Sequence, residues 1–390
     1  MLLVGRWISR PASTSNACLS SHIRHDGQAS NLADHTTQGS IQVLSSGKAG
    51  LHSGDLARPR SGSWQSFTSI AVRKMTSGNR QLHSSLTVRL TDGASLDYDE
   101  FVSFQRRAFA DVSGIIRANT IQTIPYYRWK YRTPWGPAKL AIAAVNGEMA
   151  AAVAAVPWPL TDGVKERSGW QICDIATHPD RRHQGLFRRC LGDLLLSLPT
   201  NSVVFCFPNR QSFPTLVGMG FVQSGALRLW VSISPLLGIG RNNGLEKTWN
   251  GPLPINAPTP GTFQTRVDNP YLEWRFVRRP EHEYRPVGTS GHGGEAIVRS
   301  LVACGQKISI LMMLTAEDAA AVNALLYSAI FLESRRGARA MLYLHSHWRG
   351  SLRPLFFPLA SWMAPRAFPI VTTGLKGASL RLCTSDWDVL

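Results

Sequence analysis

The sequence predicts an α/β (α+β) chain. It consists of two tandem domains, each a mixed central sheet flanked by helices, the second a degenerate copy of the first, behind a disordered N-terminal segment. Three observations predict it. From Leu86 onward, apolar residues recur by turns at the strand period and at the helix period. Tyr126-x-x-Trp129-Lys130-Tyr131 returns as Tyr271-x-x-Trp274-Arg275-Phe276 at an offset of 145, each closely followed by a proline, Pro134 and Pro280. A signature repeated at that distance implies duplicated domains. Residues 1–85 hold no lasting hydrophobic period, are rich in Ser, Gly, Arg and His, and precede the first Glu of the chain, Glu100. The expected boundaries are 1–85 for the disordered or targeting-like segment, 86–234 for the first domain, 235–265 for a linker and 266–390 for the second domain.

A short alternating strand opens the first domain at Leu86 to Leu90, and a helix is expected from about Ser95 to Phe109. Residues 138–145 and 148–156 are apolar runs flanking Asn146-Gly147, the dipeptide of a type I′ turn, and they predict a hairpin. A strand follows at 169–177, then a loop, then a helix from 185 that stops at Pro199. Leu186, Phe187, Cys190, Leu191, Leu194, Leu195 and Leu198 recur along it at the helical period. Ser202 to Phe207 reads as strand, Gln211 to Gly218 as helix and Phe221 to Ser234 as strand. Gly, Pro and Asn then crowd residues 235–265, the composition of a linker. In the second domain Ala296 to Ala303, Ile308 to Leu314 and Ala340 to His345 are strand-like, with a helix over Ala316 to Glu333.

Hydrophobic residues make up 44% of the 390 and charged residues 17%, which excludes a chain solvated throughout and allows a large core in two or three domains. The longest apolar run, Ala319 to Leu332, is about 14 residues and contains Asn323, short of the ~18 that span a bilayer. Lys plus Arg number 42 and Asp plus Glu 25, a net charge of +17. That balance favours an anionic partner, whether nucleic acid, acidic lipid or a phosphorylated small molecule. No RNP, KH or zinc-finger signature points to nucleic acid, and none is expected as partner. The six cysteines, Cys18, Cys173, Cys190, Cys206, Cys304 and Cys383, form no CxxC pair and no zinc-spaced cluster with His. Neither a metal site nor a disulfide framework is expected, and a reducing compartment fits. His345 and His347 alternate on a strand but lack a Cys or carboxylate at ligand spacing. The acid-poor, Ser-rich leader has the bias of an organelle transit peptide, or else marks a start assigned too early, with Met75 as the true start. The expected location is cytoplasmic, with organelle import as the alternative.

Chemistry concentrates in residues 174–191. A strand ends at Thr177, His178-Pro179-Asp180 turns the chain, and Arg182-His183-Gln184-Gly185 leads straight into an amphipathic helix. Orphan amides at a helix N-terminus point outward, the helix dipole favours an anion, and Gly185 removes the side chain that would block approach. These are the parts of a pyrophosphate cradle, with Arg181, Arg182, Arg188 and Arg189 adding positive charge. The plainer reading is a strand-to-helix turn with its basic residues in solvent. Asn209 ends the next strand, and Ser212, Leu216, Gly220 and Phe221 follow it at three, seven, eleven and twelve residues.

Arg182-x-x-Gly185 together with that register resembles the GNAT superfamily of acyl-CoA-dependent N-acyltransferases, whose pattern is strand, Q/R-x-x-G-x-G/A, helix, strand, N-x-x-A-x-x-x-Y-x-x-x-G-F. The motifs W-K-Y-x-x-P, H-P-x-x-R-x-x-G-L-F, F-P-N-x-x-S, Y-L-x-W-R-F and the terminal S-D-W-D-V are similar, over about 86–390, to two-domain bacterial GNAT proteins linked to polysaccharide biosynthesis. The resemblance implies a first domain that takes acetyl-CoA, or another acyl-CoA, as co-substrate. It further implies transfer of the acyl group to a small-molecule primary amine, an amino sugar in that subgroup. Backbone groups of Ile175 and Thr177 would then pair with the pantetheine arm. Amides of Arg182, His183, Gln184, Gly185, Leu186 and Phe187 would hold the pyrophosphate, and Asn209 would lie near the pantetheine where two central strands splay. Asp174 is the candidate base for the acceptor ammonium, with His178 and His183 as nearby titratable groups.

Two residues depart from the pattern. Phe187 stands at the second small position of the loop, and Leu216 stands where many members carry a tyrosine that protonates the departing thiolate. The second domain has no such loop. At the repeat offset Gly185 corresponds to Ile330, inside a helix, so the second domain is expected to shape the acceptor cleft. The rival reading is a non-catalytic GNAT-fold binding or scaffold protein, and Leu216 is the feature that supports it.

Overall fold

Alternating residues at Leu86–Asp92 form strand β1, which pairs antiparallel along its length with β2 (Lys139–Val145). β2 turns through Asn146-Gly147 into β3 (Glu148–Thr161), both turn residues at positive φ as a type I′ turn requires. α1 (Tyr98–Ala108), capped by Asp97, and α2 (Ile124–Tyr131), capped by Thr123, lie between β1 and β2 in sequence. β4 (Glu166–Thr177) returns antiparallel to β3, and α3 (Leu186–Ser197) crosses over to β5 (Val203–Cys206), which runs parallel to β4. α4 (Phe213–Val217) and β6 (Val222–Ser232) complete this half. The computed structural model describes residues 85–110, 123–233, 244–246, 261–289, 292–303, 305–346, 356–358, 367–375 and 378–387. Residues 1–84, most of the expected linker, Cys18, Cys304 and His347 lie outside them.

β2 and β3 are buried on both faces, which is why they read as continuous Ala/Val runs rather than a strict alternation. Leu140, Ile142, Ala152, Ala154 and Val156 pack toward the core shared with α1 and α2. Ala141, Ala143, Ala151, Val153 and Ala155 pack toward α3, through Leu186, Cys190, Leu191 and Leu194. The small alanines leave room for the helix to lie close to the sheet.

The second half begins with β7 (Gly244–Glu246) and β8 (Thr262–Thr265), short strands within the stretch read as linker. α5 (Asn269–Leu272) continues as one π-helical turn over Glu273–Val277. β9 (Tyr284–Thr289), β10 (His292–Ala303), β11 (Gln306–Ala316), α6 (Ala319–Arg335), β12 (Ala340–His345), β13 (Phe368–Thr373) and β14 (Ser379–Arg381) follow. β11 and β12 are parallel with α6 between them, as β4 and β5 are with α3.

One mixed sheet runs through both halves in the order β1-β2-β3-β4-β5-β13-β6-β12-β11-β10-β9-β7. Its centre holds an exchange. β6, from the first half, pairs with β12 of the second, and β13, from the second half, pairs with β5 of the first; β6 and β13 pair with each other. The repeated aromatic motifs meet beside this seam. Trp129 and Trp274 stack at 5.2 Å, and each indole N–H donates to the other tryptophan's carbonyl oxygen, at 2.6 and 3.2 Å. That reciprocity is what two related copies facing each other produce. Among the described residues no helix is long and apolar enough to cross a membrane.

Candidate functional site

Parallel pairing of β4 with β5 runs from Gly169 and Val203 to Ile172 and Cys206 and stops there, while β4 continues to Thr177. Just beyond the stop lies a β-bulge: Ala154 faces Cys173 and Ala152 faces Ala176, so Asp174 and Ile175 together oppose Val153. Asp174 has φ +48°, a left-handed conformation that a short polar side chain tolerates better than most. The His178 N–H donates to Ala150 O at 2.8 Å. Successive residues of a strand direct their backbone groups to opposite sides, so Ile175 and Thr177 direct theirs to the edge that β5 has left. No described strand pairs with that edge.

The loop after β4 leads to α3. His183 and Gly185 both have positive φ, +64° and +74°, and Gly185 is the N-cap. A Cβ built on Gly185 meets nothing within 4 Å, so glycine here serves the left-handed turn and leaves the space before the helix open. The first intrahelical bond is Arg189 N to Gly185 O at 3.1 Å, which leaves the amides of Leu186, Phe187 and Arg188 without a helical acceptor. Asp97, Thr123, Asp268 and Asp318 each cap their own helix with a side chain, but α3 has no side-chain cap. Donors of this kind suit an anion. Arg182 is half-buried, its Nη2 donating to Ala108 O at 3.0 Å, and so ties the loop to the end of α1. Gln184 lies exposed, its amide 3.4 Å from Asp180 O. Leu186 is buried, and Phe187 is partly buried and packs against the core that α3 covers.

Asp174 is held tightly. Tyr131 OH donates to its Oδ2 at 2.6 Å, and Lys130 Nζ pairs with the same oxygen at 2.6 Å. Tyr131 is fully buried, and burial, followed by the Asp174 charge, pushes its phenol well above the usual range. Lys130 and Tyr131 were not among the expected site residues, because the motif registered as a repeat and as part of the family resemblance and not as a partner for Asp174. The signal was present, since a lysine flanked by Trp129 and Tyr131 is bound for an apolar site and needs a carboxylate there.

Asn209 is exposed and its Oδ1 accepts from Gln211 N at 3.0 Å and Ser212 N at 2.8 Å, an Asx turn that starts α4. Leu216 is fully buried in the α3 core, so no proton donor stands at that position. His178 caps the short turn Pro179–Arg181, and His183 is exposed. Cys190 and Cys206 are buried, which pushes their thiols up to about 11 and about 12 and keeps both inert near neutrality. Among the described residues no three His, Cys, Asp or Glu side chains gather as a metal site.

The second half corrects the repeat arithmetic. By element order the counterpart of Gly185, the N-cap of α3, is Asp318, the N-cap of α6, and not Ile330. The offset fails because it has already shortened by the strand ends, Thr177 and Ala316, and shortens again where Glu317 and Asp318 alone join β11 to α6. Asp318 Oδ1 takes the Ala321 amide at 2.7 Å, so this N-terminus is closed by its own carboxylate. β11 and β12 also part after four pairs, at Leu311 and Tyr343, next to a one-residue bulge. Here the chain's own C-terminal segment fills the gap. Ser346 N donates to Leu382 O at 3.0 Å, Leu344 N to Thr384 Oγ1 at 2.9 Å, and the Cys383 thiol lies 3.7 Å from Met312 O.

No protein-family model and no curated protein matches the chain. Among solved structures, a protein of Enterococcus faecalis described as a probable N-acyltransferase aligns with a TM-score of 0.52 at 10% identity, over 74% of this chain and 72% of that one. A GCN5-related N-acetyltransferase from Anabaena variabilis aligns at 0.50 and 11% identity, over 74% and 73%. A tandem GNAT protein from the clavulanic acid biosynthesis pathway aligns at 0.47 and 11%, over 74% and 98%. The fold is that of the GCN5-related N-acetyltransferases, as the sequence resemblance implied.

Proposed function

We propose that the first half binds an acyl-CoA, acetyl-CoA in the simplest case, and transfers its acyl group to a primary amine of a small molecule such as an amino sugar. The observation that carries this reading is the pairing of an open strand edge, at Ile175 and Thr177, with an uncapped helix N-terminus at Gly185. A ligand with a peptide-like arm and a pyrophosphate would satisfy both at once. The amides of Leu186, Phe187 and Arg188 would hold the pyrophosphate, and the amide group of Asn209 would lie beside the arm. Acyl-CoA supplies an activated thioester. The backbone at Ile175 would polarise its carbonyl, an oxyanion-hole contribution, and Asp174 would take a proton from the acceptor ammonium.

The test is calorimetric titration of acetyl-CoA into the full chain and into Gly185→Glu, which sets bulk and negative charge before the amides. Micromolar binding that weakens at least ~100-fold in the variant supports the reading, since about 2.7 kcal/mol separates the two. Absence of binding to the unaltered chain would sink it. The second reading, a GNAT-fold protein that binds acyl-CoA without transferring the group, draws on buried Leu216. Binding with no thiol release in the presence of an amine panel would favour that reading.

A further inference from the structure

Resting on the acyl-transfer reading above, we propose that Tyr131 and Lys130 are positioning residues for Asp174, orienting its carboxylate so that Oδ1 faces the acceptor amine. Both contacts at 2.6 Å, and the Cys173 thiol at 3.5 Å, fall on Oδ2, and none of the three on Oδ1. The Lys130 side chain is 3% exposed and that of Asp174 14%. Of the trio, Asp174 is the most exposed member.

The other half of the molecule serves as a control. It keeps the stacked tryptophan, the cation after it, the bulge and the parting parallel strands. Tyr131, however, is matched by Phe276. Gly169–Ile172 and Ile308–Leu311 are the paired segments, and Thr177 and Ala316 the strand ends, so Asp174 is matched by Met313. Arg275, the counterpart of Lys130, donates instead to the carbonyl oxygens of Ser385 and Trp387. The fold therefore stands without a tyrosine hydroxyl and a carboxylate at these positions. They occur together in the half where no described strand pairs with the edge of β4 that β5 has left.

Among the described residues, few charges lie around Asp174. α2 contributes Lys130 and Tyr131, and β4 contributes Cys173; Tyr127 of α2 lies by Tyr131. β3 opposite presents Ala152, Val153 and Ala154, and of the residues that α1 turns inward only Tyr98 is titratable, its hydroxyl donating to Gly93 O. Arg182 of the loop is turned to Ala108 O. In the reaction, an acceptor ammonium gives one proton to Oδ1 and thence to water, and its nitrogen lone pair forms the bond to the thioester carbonyl carbon. The carbon–sulfur bond breaks, the sulfur leaves with that electron pair, and the second nitrogen proton ends on it as the CoA thiol.

The experiment follows the Asp174 carboxyl by carbon NMR in the full chain labelled at aspartate Cγ, its signal assigned with Asp174→Asn. Removing a donor from Oδ2 disfavours the charged form. The titration midpoint should therefore rise in Tyr131→Phe, rise further in Lys130→Met, and return toward the original in Lys130→Arg. With glucosamine as probe amine and thiol release as readout, kcat/KM should fall at least ~10-fold in Tyr131→Phe, its acidic limb moving up with the NMR midpoint, while the acetyl-CoA Kd stays within twofold. Hydrolysis by water supplies the limb if glucosamine is not acylated. Tyr131→Phe reproduces the residue of the other half and should fold, checked by thermal unfolding. A midpoint unmoved in both variants, or a midpoint that moves without the limb, overturns the proposal. Failure of the unaltered chain to bind acetyl-CoA overturns the acyl-transfer reading instead.

Discussion

The two halves share a parallel strand pair that parts after four residues beside a bulge, and they complete that parting in opposite ways. In the first half the connection from β4 to α3 takes residues 178–185, ends on an uncapped Gly185 and leaves an edge of β4 open. In the second it takes two residues, ends on a self-capping Asp318, and the gap is filled by Leu382 to Thr384. Buried backbone donors and acceptors must be satisfied by something. The comparison teaches that the same scaffold meets this demand with its own chain in one copy and, among the described residues, leaves it open in the other.

The largest expected effect tests whether the copies depend on each other. Trp274→Ala removes a stacked ring and the indole N–H that donates to Trp129 O at the seam, leaving the backbone carbonyl oxygen that accepts from Trp129 in place. It should cost about 3–5 kcal/mol in urea unfolding, and adding Trp129→Ala should cost much less than the same change made alone, because the two share one contact. Full additivity would break the picture of a single joint. A smaller effect tests the closed N-terminus. Asp318→Ala should cost about 1 kcal/mol as a lost N-cap, yet calorimetry should still find one acetyl-CoA per chain. A second bound equivalent would mean that capping alone separates the halves.

The smallest concerns charge. The seam of the second half gathers Arg275, Arg279 and Arg299, whereas Lys130 in the first half is paired with Asp174. Burial, and then these arginines, push His282 down to about 3. Between its ordinary value near 6.5 and about 3, the unfolded chain therefore binds a proton that the folded chain does not. Stability contributed by neutral His282 should fall as pH falls through that window. His282→Gln should flatten the slope between pH 6.5 and 4 in paired urea titrations, and an unchanged slope would remove His282 from the account.

Local chemistry made much of this legible. Asn146-Gly147 announced its hairpin, the leucine period of α3 announced the helix, and Arg182-x-x-Gly185 pointed to the loop, because each depends on residues close in sequence. α2 was missed since Ile124–Tyr131 is apolar or aromatic nearly all round, as suits a helix pressed into a seam, and so lacks an amphipathic period. β13 and β14 were missed because their pairing is decided by strands far away. The Lys130–Asp174 pair links positions 44 apart through the bulge, which no spacing rule reports. Gly185 and Asp318 correspond only once the connections are seen to differ in length.

The strand exchange sets an order on biosynthesis. β5 and β6 are made early, but β13, the strand between them, lies about 140 residues beyond the end of β6. At roughly 5–20 residues per second, the first half waits on the order of ten to thirty seconds for the strand that closes it. Through that interval two strand edges stand open in the nascent chain, a template for mispairing. A chain truncated before Phe368 should leave the ribosome with neither half complete.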